Sequence, residues 1–102
     1  MSGYVEEIAP EKVNDLLTNG EKMSIVDVRG PEEVATGKIP NAYNLPVNEI
    51  QTRMNELDKN KKHIIVCQSG GRSSMASMVL KSNGYRVLNM TGGMQEWTGI
   101  TE

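Results

Sequence analysis

The sequence predicts an α/β fold in which helices cover a mainly parallel β-sheet. Several segments are short, apolar and rich in β-branched residues, as residues 64–66 are. The segments between them place apolar side chains at i, i+3 and i+4, the spacing of one helix face, as in Val13, Leu16 and Leu17. Short apolar strands of this kind are typical of strands buried on both faces, which occur mainly in parallel sheets covered by helices.

In the first half of the chain, prolines and glycines mark the ends of the predicted elements. Pro10 suits the first turn of a helix, because the N–H that proline lacks has no partner there. Asn19-Gly20 ends that helix, and Gly30-Pro31 ends the next strand. The predicted elements are a small strand over residues 5–8, a helix from residue 10, a strand over residues 23–28, a helical turn over residues 32–36 and a very short strand over residues 43–46.

The second half of the chain repeats the alternation of helices and strands. A helix is predicted from Arg72, and Gly84 is expected to cap its end. The apolar face of that helix is expected to hold Met75, Ala76, Val79 and Leu80. The other predicted elements are a helical segment over residues 47–57, a buried strand over residues 64–66, a strand over residues 85–90, a Gly92-Gly93 turn and a last short helix with Met94 and Trp97 on one face.

Length and charge limit what the protein can do. A chain of 102 residues fits one domain, and we expect a single domain over residues 1–102. With 11 basic and 13 acidic residues the formal net charge is −2, which gives no electrostatic footprint for a nucleic acid partner. The sequence has no basic amphipathic run, no signal peptide and no apolar stretch near the ~20 residues of a membrane span, so no membrane partner is expected.

The chain has one cysteine, Cys67, and one histidine, His63. These exclude an internal disulfide, a two-cysteine redox motif and a zinc site of the usual Cys/His type. We therefore expect no metal, and a reducing, cytoplasmic compartment in which Cys67 stays a free thiol.

Cys67 stands where the predicted strand ends, and parallel α/β sheets bind ligands at that edge. The loop that follows contains Gln68, Ser69, Gly70 and Gly71 and leads into a helix. Two glycines let the backbone curl so that several N–H groups point at one place, and the helix adds its positive end. Arg72 is expected to add a full charge, and such surroundings lower a thiol pKa from ~8.5 towards ~3.5–7.5. Cys67 is therefore a candidate nucleophile.

A buried structural role is the competing interpretation, because a lone cysteine that ends an apolar strand is more often a small core residue. The glycine loop, Arg72 and the helix entry favour the nucleophile. His63 is expected on the surface, about 10 Å from Cys67 at ~3.3 Å per residue, so it is not a general base. Activation of Cys67 is thus expected from the loop.

Seven fragments together resemble the rhodanese family, and they cover the chain from about residue 5 to residue 97. Each is weak alone, but their order and spacing are specific. The fragments are residues 25–29 (Ile-Val-Asp-Val-Arg), residues 31–33 (Pro-Glu-Glu), residues 37–42 (Gly-Lys-Ile-Pro-Asn-Ala), residues 44–46 (Asn-Leu-Pro), the loop over residues 67–73, the pair Gly92-Gly93, and Trp97.

The resemblance implies a parallel five-stranded sheet with helices on both faces, and a sulfurtransferase without metal or organic cofactor. Cys67 would accept a sulfane sulfur and become a persulfide. The amides of residues 68–73, with Ser73 among them, would cradle the outer sulfur, and Arg72 would orient an anionic donor. The implied partners are a small-molecule sulfur donor or a persulfide-carrying protein, and a thiol or cyanide acceptor.

Other residues of the resemblance are expected to be structural. Asp27 and Arg29 are expected to tie loops together near the site, and Trp97 to plug the core. Glu32 and Glu33 are interpreted as a solvated helix start. Packing roles are expected for Met75, Met78 and Met94.

The sequence departs from the family at four positions. The family often has histidine where Lys38 stands and an aromatic residue where Val34 stands. Members that use thiosulfate well often carry basic residues where Gln68 and Ser69 stand. A persulfide donor is therefore at least as well supported as thiosulfate.

Three other functions stay open on the sequence. A cysteine phosphatase also places cysteine and arginine around one loop, but only four residues separate Cys67 from Arg72, one fewer than in those enzymes. A non-catalytic interaction module of the same fold is a second possibility, although many such modules lack the cysteine. A thiol oxidation sensor is the third, and it usually needs a resolving cysteine.

Overall fold

A computed structural model describes residues 4–102 and contains five strands: β1 (Glu7–Ile8), β2 (Ser24–Asp27), β3 (Tyr43–Asn44), β4 (Lys62–Val66) and β5 (Arg86–Met90). They form one entirely parallel sheet in the order β1-β5-β4-β2-β3. The apolar strands β2, β4 and β5 occupy the centre, as their composition predicts, and the two-residue strands lie at the edges. The α/β fold class is thereby confirmed.

Helices cover both faces of the sheet, and each face has its own apolar core. Along β4 the side chains alternate: Ile65 belongs to one core and Ile64 to the other. The core that contains Ile65, called the first core, also includes Ala76 and Leu80. The second core, which contains Ile64, also includes Val13. The helices are α1 (Pro10–Thr18), α2 (Pro31–Val34), α3 (Ile50–Arg53) and α4 (Gly71–Ser82), with single 3₁₀ turns at Val47–Glu49, Met54–Glu56 and Met94–Glu96.

Residues 47–57 form three short helical pieces where the spacing predicts one segment. The helix α3 lasts four residues and is flanked by two 3₁₀ turns. The carbonyl of Met54 accepts the hydroxyl of Tyr85 at 2.6 Å, and it also accepts the N–H of Leu57 at 2.9 Å, an i+3 contact. The segment thus adopts a 3₁₀ turn where it accepts a hydrogen bond from Tyr85, a distant contact that helical spacing cannot predict.

His63 is buried, so its expected surface position is wrong. The residue is 2 % exposed and lies opposite Ser24 in the β2–β4 register. Its Nε2–H donates to the carbonyl of Asp58 at 2.8 Å, and Nδ1 accepts the Ser24 hydroxyl at 2.5 Å. Alternation along the strand turns His63 inward next to exposed Lys62, and the two hydrogen bonds satisfy the ring nitrogens.

The expected packing of two methionines is also wrong. Met75 is 64 % exposed and Met78 is 48 % exposed. The face of α4 that meets the sheet consists of small residues and one leucine, which let the helix approach closely: Ser73, Ala76, Ser77 and Leu80. Met94 and Trp97, by contrast, are partly buried against the second core, which agrees with a packing role for both.

No described helix has the length and apolar character that crossing a membrane requires.

Candidate functional site

Cys67 directly follows β4, at the edge of the sheet where the parallel strands end. The neighbouring strand β2 ends at Asp27, so Asp27 and Arg29 reach the same edge. The loop that follows Cys67 leads into α4, whose N-terminal end faces the sulfur. The Cys67 residue has no exposed surface and belongs to the first core. The loop therefore holds a nearly enclosed sulfur at the ligand-binding edge of the fold.

The loop backbone points a hydrogen-bond donor at the sulfur. Gly70 adopts a left-handed conformation with φ of 105°, which glycine accepts readily and other residues rarely adopt. In this conformation the Gly70 N–H donates to the Cys67 Sγ at 3.0 Å. While Cys67 is a thiol, its S–H donates to the Ser73 Oγ at 3.3 Å and the Ser73 hydroxyl donates to the Gly70 carbonyl at 3.1 Å. Once Cys67 loses its proton, the Ser73 hydroxyl is close enough to turn and donate to the sulfur instead.

These contacts favour the thiolate form of Cys67. Burial raises the pKa of the thiol, but the Ser73 hydroxyl and the backbone N–H groups of Ser73, Gly70 and Ser69 lower it more. The net result is a pKa below the ordinary value of a cysteine. A thiolate held by backbone donors is a nucleophile, and the same donors can hold an atom attached to the sulfur.

Arg72 does not turn its guanidinium to the sulfur as a free charge. It forms a bidentate ion pair with Glu33, with Nη1–Oε1 at 2.7 Å and Nη2–Oε2 at 2.8 Å. The Arg72 side chain and the N–H of Gly30 hold the pKa of the Glu33 carboxyl at about 2. Glu33 does lie in the first turn of a helix, α2, but its interpretation as a simply solvated residue is wrong, because α2 brings its carboxylate to Arg72.

Arg29 is the second cation near the loop, and it is also paired. Its guanidinium contacts the Asp27 carboxylate at 2.8 and 3.0 Å, and both side chains are nearly fully buried. The same guanidinium donates to the Gly37 carbonyl at 2.8 Å and reaches the Gln68 Oε1 at 3.5 Å. Arg29 and Asp27 thus connect the loops around the site, which agrees with the expected structural role.

A turn after β5 packs against the Cys67 loop and forms hydrogen bonds with its backbone. The N–H of Met94 donates to the Cys67 carbonyl at 2.8 Å, and the N–H of Gln95 donates to the Gln68 carbonyl at 3.0 Å. A Cβ on Gly93 would lie 2.5 Å from backbone atoms of Cys67 and Gln68. The Gly92-Gly93 pair signals a turn in the sequence, but nothing in the sequence shows what that turn contacts.

The structure brings all the predicted site residues together. The exposed residues Gln68, Ser69 and Gly71 form the solvent-facing side of the loop, which we call its mouth. Arg72 is partly exposed and Ser73 is buried. Glu33 and Gly93 join them and were missed as site residues. Within residues 4–102, no group of three or more histidine, cysteine, aspartate or glutamate side chains is placed to hold a metal ion.

The sequence model of the Rhodanese-like domain family matches residues 9–100. A protein of Allochromatium vinosum named "Sulfurtransferase" is 43 % identical over 94 residues, which cover 91 % of this chain and 88 % of that protein. A Bacillus subtilis protein named "Putative sulfur carrier protein YrkF" is 38 % identical over 99 residues. That match covers 96 % of this chain and 54 % of the Bacillus protein, so the chain spans about half the length of that relative.

A solved structure agrees with the sequence comparisons. The crystal structure of a rhodanese-like domain protein from Staphylococcus aureus superposes with a TM-score of 0.90 at 35 % identity. The superposition covers 96 % of this chain and 97 % of the Staphylococcus chain.

Proposed function

The chain belongs to the rhodanese-like domain family, and we propose that it is a sulfurtransferase that carries a sulfane sulfur on Cys67. One observation supports this role most directly: the Gly70 N–H already donates to the sulfur at 3.0 Å, inside a loop that lowers the thiol pKa. Similarity to a protein named as a sulfurtransferase supports the reaction class.

The proposed reaction has two displacement steps. The Cys67 thiolate attacks the outer sulfur of the donor, a new S–S bond forms, and the donor's own S–S bond breaks. The donor leaves with that electron pair, as a thiolate or as sulfite. An acceptor thiolate or cyanide then attacks the outer sulfur and Cys67 leaves as a thiolate, stabilised by the same N–H groups.

The roles of the loop residues follow from their positions. The backbone amides of residues 68–73 cradle the outer sulfur, and the hydroxyl of Ser73 lies 3.3 Å from the Cys67 sulfur to which that outer sulfur is bonded. Arg72 lies beside the loop with its guanidinium paired to the Glu33 carboxylate. The partners are a small-molecule sulfur donor or a persulfide-carrying protein, and a thiol acceptor. The chemistry needs Cys67 reduced, which fits a cytoplasmic protein.

Intact mass measurement tests the proposal. The protein is incubated with thiosulfate or with an organic persulfide, its mass is measured, and cyanide is then added. We expect one added sulfur atom that cyanide removes as thiocyanate, and no addition to the Cys67→Ser variant. If neither donor adds a sulfur, the covalent mechanism is wrong and the interaction module becomes the better interpretation.

No observation favours a phosphatase. Four residues separate Cys67 from Arg72, one fewer than in cysteine phosphatases, and the arginine side chain is held by Glu33. A phosphoryl group brings three more oxygens than a single sulfur and needs a wider cradle. We expect no turnover of an aryl phosphate, and turnover that depends on Cys67 and exceeds sulfur transfer would contradict the proposed function.

A further inference from the structure

The side-chain charges around the Cys67 loop cancel in pairs. Arg72 is paired with Glu33 through two short contacts, and Arg29 with Asp27. Loop residues 68–71 carry no charged side chain. Within residues 4–102, the two arginines that reach this loop are thus both compensated, and neither offers an incoming anion an unpaired positive charge.

The Glu33–Arg72 pair lies at the start of α4, next to the Cys67 loop. The Arg72 side chain is 40 % exposed and that of Glu33 is 33 % exposed, so the pair is open to solvent at the mouth. It is also rigidly built, because the Glu33 Oε1 accepts the N–H of Gly30 at 3.0 Å while it contacts Arg72. Arg72 therefore cannot swing to a substrate without losing a bidentate ion pair.

The two possible donor classes put very different demands on these charges. Thiosulfate is a dianion, so its attack by the Cys67 thiolate gathers a total charge of −3 in the loop. The products are a persulfide anion and the sulfite dianion, which carry the same total. An organic persulfide reacts with a thiolate in its protonated form, R–S–S–H, because only that form has an electrophilic outer sulfur, and this form brings no charge in its reacting group. Its attack gives a neutral Cys67 persulfide and a thiolate RS⁻, so the total stays at −1.

We propose that the site takes its sulfur from an organic persulfide in preference to thiosulfate, and that Glu33 sets this preference by occupying Arg72. The inference rests on the proposed sulfurtransferase function and names its donor class. Glu33 is a positioning residue, because it acts on the donor through Arg72. The Cys67–outer sulfur bond forms as the donor's S–S bond breaks, the outer sulfur keeps its proton, and the thiolate RS⁻ takes a proton from water.

The test compares two donors on two matched variants. The donors are thiosulfate and the persulfide of N-acetylcysteine methyl ester, which has no charge outside its reacting group, and cyanide is the acceptor. Glu33→Gln removes the negative charge but keeps an oxygen for the Gly30 N–H. Glu32→Gln makes the same change in net charge on a neighbouring exposed residue that has no contact with Arg72.

We expect the native protein to have the higher kcat/KM with the persulfide. Glu33→Gln is expected to raise kcat/KM for thiosulfate about tenfold, since one freed charge a few ångströms from a dianion has an effect of that order. Its kcat/KM for the persulfide should change by less than about threefold, and Glu32→Gln should change neither by more than about twofold. The thiosulfate gain should shrink as salt is added, which a purely structural role of Glu33 would not produce.

A second variant keeps the test independent of the folding of Glu33→Gln. A Cβ added to Gly71 would meet no atom within 4 Å and Gly71 is exposed, so Gly71→Lys is expected to add a cation beside the loop while Glu33 keeps its pair with Arg72. It should also raise kcat/KM for thiosulfate selectively. Native preference for thiosulfate, or equal gains for both donors in both variants, would overturn the inference. Failure of both donors to load Cys67 would instead overturn the proposed function.

Discussion

At the scale of single residues, Ser73 has the closest side-chain contact with the Cys67 sulfur, and we expect it to affect the reactivity of that thiol. Its hydroxyl and its N–H are both among the groups that lower the thiol pKa. Ser73→Ala removes the hydroxyl, so we expect the Cys67 pKa to rise and alkylation by iodoacetamide at pH 7 to slow several-fold. The measurement is the alkylation rate as a function of pH.

Ser77 provides the matched control for that experiment. It lies one turn further along the same buried face of α4, and its Oγ has no hydrogen-bond partner within residues 4–102. Ser77→Ala should therefore leave the alkylation profile of Cys67 unchanged. An equal effect of both substitutions would mean that α4 packing, and not the Ser73 hydroxyl, sets the pKa.

Replacement of Cys67 by serine separates chemistry from folding. An oxygen at this position can still accept the Gly70 N–H, so we expect the free energy of unfolding to change by only about 1 kcal/mol. Sulfur transfer should fall to background, because a serine hydroxyl is a far weaker nucleophile at neutral pH. Urea unfolding and thiocyanate release measure the two effects. Residual transfer at more than background would contradict a covalent Cys67 mechanism.

Single residues show why part of the site was predictable. Cys67, Gly70 and Ser73 are close in sequence, so a strand end, a glycine turn and a helix start place them together. The Glu33–Arg72 pair joins residues far apart in the chain, and neither side chain carries a local signal for the other. The burial of His63 depends in the same way on a distant partner, Ser24.

At the scale of elements, the turn after β5 holds the Cys67 loop through two backbone hydrogen bonds. Gly93 has φ of 63° and ψ of −161°, a conformation that only glycine adopts without strain. Gly93→Ala should lower the free energy of unfolding by about 2–4 kcal/mol and displace the loop, because its Cβ would lie 2.5 Å from loop backbone. Urea unfolding measures the loss, and thiocyanate release shows whether transfer falls with it.

Gly71→Ala is the control for the glycine experiment. A Cβ at Gly71 meets no atom within 4 Å, and the residue begins α4. Alanine there should leave stability unchanged or raise it by about 0.4–1 kcal/mol. Equal destabilisation by the two substitutions would show that the contact of Gly93 with the loop is unimportant.

Elements were predictable where one local pattern dominates. The central strands β2, β4 and β5 each contain a run of two or three apolar, mostly β-branched residues, and they form close to where the sequence predicts them. Helical spacing also predicts helix over residues 47–57, but the contact from Tyr85 to Met54 splits that segment. On α4 a face of small residues meets the sheet, whereas hydrophobicity favours the methionines.

The Glu33–Arg72 pair also affects the stability of the whole molecule. The Glu33 pKa falls from an ordinary 4.5 to about 2 in the folded protein. The folded state therefore binds this proton less readily than the unfolded state. Its stabilising contribution is complete above pH 4.5 and is lost as the pH falls towards 2.

Glu33→Gln should consequently be less stable than the native protein at pH 6, and the difference should shrink as the pH is lowered through 4 to 2.5. Urea unfolding at several pH values measures it. The exposed Glu32→Gln variant controls for net charge and should show a smaller difference at pH 6. A gap for Glu33→Gln that stays constant with pH would mean that the ion pair does not stabilise the fold.

The all-parallel sheet has a consequence for how the protein is made. Its first strand has only one neighbour, β5, and Glu7 pairs with Asn89, near the other end of the chain. During translation at ~5–20 residues per second, β1 therefore waits on the order of 4–16 seconds for its partner to leave the ribosome. Until then Ile8 has no strand to pair with, so the growing chain depends on its environment to keep that segment from aggregating.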